Sequence, residues 1–167
     1  MGKSLRSVSR SGRLLFASFN LLRLYPTPQL HGGSRSLETL AYEEIRIFKR
    51  PFYSTAFILH GLLGSARNWR TFSRNLASEL QKSSPLNEWR MVLTDLRNHG
   101  RSAGIKGFDP PHDMANAARD LANLVKSQEW DWPDVVIGHS LGGKVALEYA
   151  ASCARGDYGE SAVLPKQ

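Results

Sequence analysis

Apolar and polar residues change rhythm along this chain in a way that separates strands from helices. From Glu43 to Lys49 they alternate, through Ile45 and Ile47, with the period of a half-buried edge strand closed by Pro51. Thr55-Ala56-Phe57-Ile58-Leu59 is a continuous apolar run ending at His60-Gly61, as in a strand buried on both faces. From Asn68, the residues Trp69, Phe72, Leu76 and Leu80 recur at helical spacing. Pro85 marks a loop, and Met91-Val92-Leu93-Thr94-Asp95 is a second apolar run, closed by Asn98-His99-Gly100. Asp113 can cap a helix whose stripe is Met114, Ala117, Leu121, Leu124 and Val125. Asp134 to Gly138 predicts a further buried strand, and Lys144 to Ala154 a further helix. Strand and helix in alternation predict an α/β domain, a parallel sheet with helices on both faces and so three layers.

That domain is expected over residues 38–167; residues 1–37 differ in kind. They hold Lys3, Arg6, Arg10, Arg13, Arg23 and Arg35, seven serines and no acidic residue. The whole chain of 167 residues carries +7, so the remainder is near neutral at +1. Nucleic-acid binding needs a basic face on a folded domain, and the charge here sits elsewhere, so that class is disfavoured and no nucleic-acid partner is expected. An Arg- and Ser-rich, acid-free leader has the composition of an organelle transit peptide. The linker signals Tyr25-Pro26-Thr27-Pro28 and Gly32-Gly33-Ser34 follow it. A secretory signal is disfavoured because Asn20 and Arg23 interrupt the apolar centre, and a featureless basic tail is the remaining alternative. One cysteine excludes an internal disulfide framework and a Cys-based zinc site. No spacing suits a metal, and no cofactor is expected. No apolar run approaches the roughly 18–20 residues that span a bilayer, so no stable membrane anchor is expected.

Chemistry in such sheets collects where strands end and helices begin. Three strand exits carry unusual residues: His60-Gly61-Leu62-Leu63-Gly64, Asp95 to Ser102, and Gly138-His139-Ser140-Leu141-Gly142-Gly143. The third is G-x-S-x-G between strand and helix, where the serine must sit on a sharp, strained turn. The reversal brings positions 138 and 142 close together, so glycine avoids a clash at each. The helix then aims the free N–H of Leu141 at an oxyanion, and Leu62 is placed to give a second donor. Ser140 is thus the candidate nucleophile. His60 and Gly61 shape the opposing turn, Asp95 and His99 brace the neighbouring loop, and His139 is expected to point away from the substrate. Gly138-x-x-x-x-Gly143-Lys144 also imitates a phosphate-binding loop, but Val145 cannot offer the metal a hydroxyl.

HGLLGS, DLRNHGRS and GHSLGGK, in that order and spacing, resemble the α/β-hydrolase superfamily, over roughly Tyr42 to Tyr149. The chain resembles in particular the group of α/β-hydrolase domain-containing protein eleven and small bacterial esterases. The resemblance implies Ser140 as nucleophile, the amides of Leu62 and Leu141 as oxyanion hole, and cofactor-free hydrolysis of small esters or thioesters. The group's mitochondrial address agrees with the basic leader, which would suit a plastid equally.

In that superfamily the acid and the histidine follow the nucleophile along the chain. The 27 residues after Ser140 contain no histidine. Four strands are countable where the fold normally uses about eight, so the expectation is a C-terminally truncated member carrying the N-terminal half of the fold, with impaired activity. The strand ending at Gly138 would then expose an unpaired edge, to which another chain could pair. The alternative function is a non-catalytic binding or partner subunit that keeps the serine turn.

Overall fold

The computed structural model describes residues 39–48 and 50–165. The expected leader and linker lie outside the described residues. Four strands and three helices follow one another, alternating from β2 onward: β1 (Tyr42–Ile45), β2 (Phe52–Leu59), α1 (Arg70–Ser83), β3 (Glu88–Thr94), α2 (Met114–Ser127), β4 (Val135–Gly138) and α3 (Leu141–Arg155). Short 3₁₀ turns at Ala66–Trp69 and Gly100–Gly104 complete the path. The sheet order is β1-β3-β2-β4.

β2 pairs in parallel with β3 on one side and β4 on the other, as alternation with helices requires. β1 departs from the all-parallel expectation. It runs antiparallel to β3, Tyr42 opposite Thr94 and Ile45 opposite Met91. No helix separates β1 from β2, so nothing carries the chain back to restart in the same direction. β1 also stops at Ile45 instead of Lys49, because the buried Glu88 carboxylate accepts the N–H of Phe48 (2.8 Å) and of Arg50 (2.6 Å) and bends the chain away.

Strand alternation divides the core between the two faces. Phe57, Leu59 and Val92 join Ala117, Leu121, Leu124, Val145 and Tyr149 from α2 and α3. Ala56, Ile58, Met91 and Leu93 join Ala77, with Leu76 and Leu80 of α1 packed against them. Ala117, Leu121, Leu124 and Val125 of the α2 stripe are buried as the spacing predicts, Met114 only partly, and Asp113 caps the helix by accepting the N–H of Asn116 at 2.8 Å. β4 is the exception among the inner-type strands. Val135, Val136 and Ile137 are only half-buried and Gly138 is exposed. Among the described residues β4 has a partner on one side only. No helix among the described residues is long and apolar enough to cross a membrane.

Candidate active site

The turn between β4 and α3 is built by exclusion of side chains. A Cβ on Gly138 would lie 2.3 Å from the Gly142 carbonyl oxygen, and one on Gly142 would lie 2.5 Å from that of Leu59. Neither distance is tolerable, so only glycine lets the strand reverse directly into the helix. Ser140 sits at the apex with φ 53° and ψ −112°, a backbone conformation that side chains rarely adopt. Its hydroxyl makes no cap to α3, and the residue is exposed at the C-terminal edge of the sheet. The strain projects the side chain outward instead of into the helix.

A cavity of about 420 Å³ opens at this apex, lined by His60 to Gly64 together with Asn68, Trp69, Phe72, His139 and Ser140. Gly61 makes the close approach: a Cβ there would stand 3.4 Å from Ser140 Cβ and 2.9 Å from His139 Nδ1. The next residue, Leu62, lies in a tight turn closed by the Gly64 N–H on the Gly61 carbonyl at 3.0 Å, with Leu63 at φ 60°. The N–H groups of Leu62 and Leu141 have no hydrogen-bond partner among the described residues. Both residues also line a smaller cavity of about 170 Å³, bounded by His99, His112 and Met114. A larger hollow of about 640 Å³ lies around Trp130 and Trp132, but none of the strand-exit residues reaches it.

His60 holds the two loops together from below. The Leu96 N–H donates to its Nε2 at 3.0 Å, so the network assigns the proton to Nδ1, which donates to the Gly61 carbonyl at 2.7 Å. Burial pushes its pKa below the usual histidine value, and His99, with ring centroids 5.1 Å apart, adds to the shift. A neutral imidazole with both nitrogens engaged is a brace.

Asp95 is likewise occupied. Its carboxylate accepts the N–H of Ala66 (2.7 Å), the N–H of Arg101 (3.1 Å) and Arg101 Nε (3.2 Å), outside the cavity that holds Ser140. His99 lies beside the Arg97 carbonyl at 2.9 Å and borders the smaller cavity. Arg97 itself is buried against Asp120, Nε to Oδ2 at 2.6 Å and Nη2 to Oδ1 at 3.0 Å, which ties this loop to α2.

Two readings of the sequence change here. His139 does not turn away: it is exposed in the same cavity as Ser140, its ring 5.8 Å from that of Trp69, in the space Gly61 leaves free. Phe72, placed on the core stripe of α1 by its spacing, is 43% exposed and lines the cavity beside Trp69. The first turn of α1 overhangs the end of the sheet, so part of its apolar face meets the cleft instead of the core. His112 carried no motif and Met114 read as part of the α2 core stripe, and only the return of the α2 start toward α3 shows both at the smaller cavity. Among the described residues no group of three or more His, Cys, Asp or Glu side chains could hold a metal.

Comparison with known proteins identifies the family. The alpha/beta hydrolase fold family matches residues 57–152, more than half of the chain and every residue of the serine turn. Esterase YbfF of Escherichia coli is 32% identical over 98 residues, 59% of this chain and 33% of that protein. Human protein phosphatase methylesterase 1 is 34% identical over 99 residues, and ethanol acetyltransferase 1 of Kluyveromyces marxianus 35% over 103. These stretches cover 57% and 60% of this chain. They are 23% and 25% of the two relatives, so the chain spans roughly a quarter to a third of the proteins it matches. An esterase from Exiguobacterium antarcticum shares the fold with a TM-score of 0.50 at 23% identity, over 74% of this chain and 38% of its own.

Proposed function

Because the chain belongs to the alpha/beta hydrolase fold family, we propose that Ser140 is the nucleophile of an ester or thioester hydrolase acting on small carboxylic substrates. In this reading Ser140 Oγ attacks the carbonyl carbon, and the N–H groups of Leu62 and Leu141 receive the developing oxyanion. The alcohol or thiol leaves with a proton, and water then releases the acid from the acyl-serine. The observation that carries the proposal is the strained Ser140 backbone, φ 53°, exposed at the start of α3 and facing a cavity that also contains the Leu62 turn.

Ser140 Oγ has no hydrogen-bond partner among the described residues, and no histidine lies in residues 141–167. We therefore expect slow turnover from these 167 residues alone. Loss of the base in serine hydrolases costs on the order of 10⁶ in rate, with a remainder of roughly 10³–10⁴ over water from the oxyanion donors and binding. The test is labelling by a fluorophosphonate probe with Ser140→Ala as control. Ser140-dependent labelling supports a hydrolase. Labelling far slower than that of a bacterial esterase is expected without the base. No Ser140-dependent labelling above that of the denatured chain favours the binding-subunit alternative, for which the half-exposed β4 edge is the supporting observation. A mitochondrial address belongs to the same proposal, and fusion of residues 1–37 to a fluorescent protein tests it against a plastid.

A further inference from the structure

The turn that carries Asn68 and Trp69 borders a second cleft, of about 280 Å³, lined by Glu43, Ser65, Arg67, Arg70, Asp95 and Arg101. Gly64 and Asn68 face the Ser140 cavity, while Ser65 and Arg67 face this one, so the two share a wall. Three guanidinium groups against two carboxylates leave the cleft positive, and both carboxylates are already engaged. Glu43 accepts Arg70 Nε and Nη2 at 2.6 Å each. Asp95 accepts the N–H of Ala66, the N–H of Arg101 and Arg101 Nε.

These bonds fix Arg70 and Arg101 in place without using all of their donors. Arg70 Nη1 and Arg101 Nη1 have no hydrogen bond among the described residues, and the two side chains are 40% and 55% exposed. The Arg67 side chain is exposed and has neither an ion pair nor a hydrogen bond among the described residues. Like charges gathered at one opening repel, and an anion there relieves the repulsion. The planar guanidinium fork suits a tetrahedral oxyanion, which it can grip through two parallel N–H groups.

We infer that this cleft binds a phosphate group, with Arg70 and Arg101 as pre-oriented donors and Arg67 as the third. The phosphate is carried by the substrate, as the phosphorylated end of a thiol or alcohol whose acyl end lies at Ser140. The carrier, though not the phosphate site itself, rests on the function proposed above. Phosphate itself is the shared chemistry, and the test separates its sources.

Arginine Nε–Hε signals of the labelled chain are followed by NMR during titration with inorganic phosphate, coenzyme A and pantetheine, which lacks phosphate. Saturable shifts at Arg67, Arg70 and Arg101 are expected with the first two, weakening as salt rises. Coenzyme A should bind at least about tenfold more tightly than pantetheine, and Arg67→Gln should remove about tenfold of that affinity. Ser140→Ala should change neither. Absence of saturation, an unchanged response in Arg67→Gln, or equal binding of succinate overturns the site. Coenzyme A binding no better than inorganic phosphate overturns the carrier alone. Phosphate binding with no Ser140-dependent labelling above that of the denatured chain overturns the hydrolase reading and leaves the site standing.

Discussion

Ser140 holds a backbone conformation that costs a residue bearing Cβ roughly 1–3 kcal/mol, and glycine enters it freely. Ser140→Gly removes that strain and returns about 0.5–1 kcal/mol through the greater freedom of glycine in the unfolded chain. The balance is a net stabilisation on the order of 1 kcal/mol, although the proposed nucleophile is gone. For a domain of this size that raises Tm by about 3–5 °C. Ser140→Ala separates strain from chemistry. It keeps Cβ, and the serine hydroxyl caps nothing in α3, so stability should move by no more than about 0.5 kcal/mol. Thermal unfolding followed by circular dichroism compares the three proteins directly. Equal shifts in the two variants, or a lower Tm for Ser140→Gly, would refute the argument that the turn stores strain at this residue.

The remaining expectations concern the frame around that turn. Gly138→Ala and Gly142→Ala each drive a methyl group into backbone, at 2.3 Å and 2.5 Å, and should each cost about 3 kcal/mol in urea unfolding. Gly143→Ala, whose Cβ would meet only the Gly138 carbonyl at 3.3 Å, should stay within about 1 kcal/mol. His60 has its pKa lowered by burial, so the unfolded chain takes up a proton below about pH 6.5 that the native state refuses. Stability should therefore be fully present above that pH and fall as the pH drops toward the lowered native value. Denaturant titrations across pH 5 to 7.5 should show this slope in the parent and lose part of it in His60→Gln. Asp120→Ala leaves Arg97 buried without its carboxylate and should destabilise by about 3–5 kcal/mol, whereas loss of the exposed Lys82–Glu79 pair in Lys82→Ala should be nearly silent.

Local rules made the serine turn legible in the sequence. Gly138 is required by contacts inside six residues of chain, whereas Gly142 is required by the backbone of Leu59 and His60 on the neighbouring strand, and the apolar runs around Phe57, Leu93 and Ile137 define strands with no knowledge of their neighbours. The same holds for the cap at Asp113 and the stripe of α2, because helix periodicity and hydrogen-bond demand are properties of consecutive residues. Three-dimensional packing decided the rest. The direction of β1 depends on β3, some fifty residues away, and the end of β1 on the carboxylate of Glu88. Trp69 and Phe72 follow the helical period of core residues. Whether such a face meets core or cleft depends on where α1 begins relative to the sheet edge, which periodicity does not encode. The arginine-lined cleft joins Glu43, the Arg67 to Arg70 turn and the Asp95 to Arg101 loop, three segments whose meeting no single motif records. Spacing along a chain records geometry only over the few residues that one turn or one helical face spans, and beyond that range the juxtaposition of groups is a property of the folded sheet.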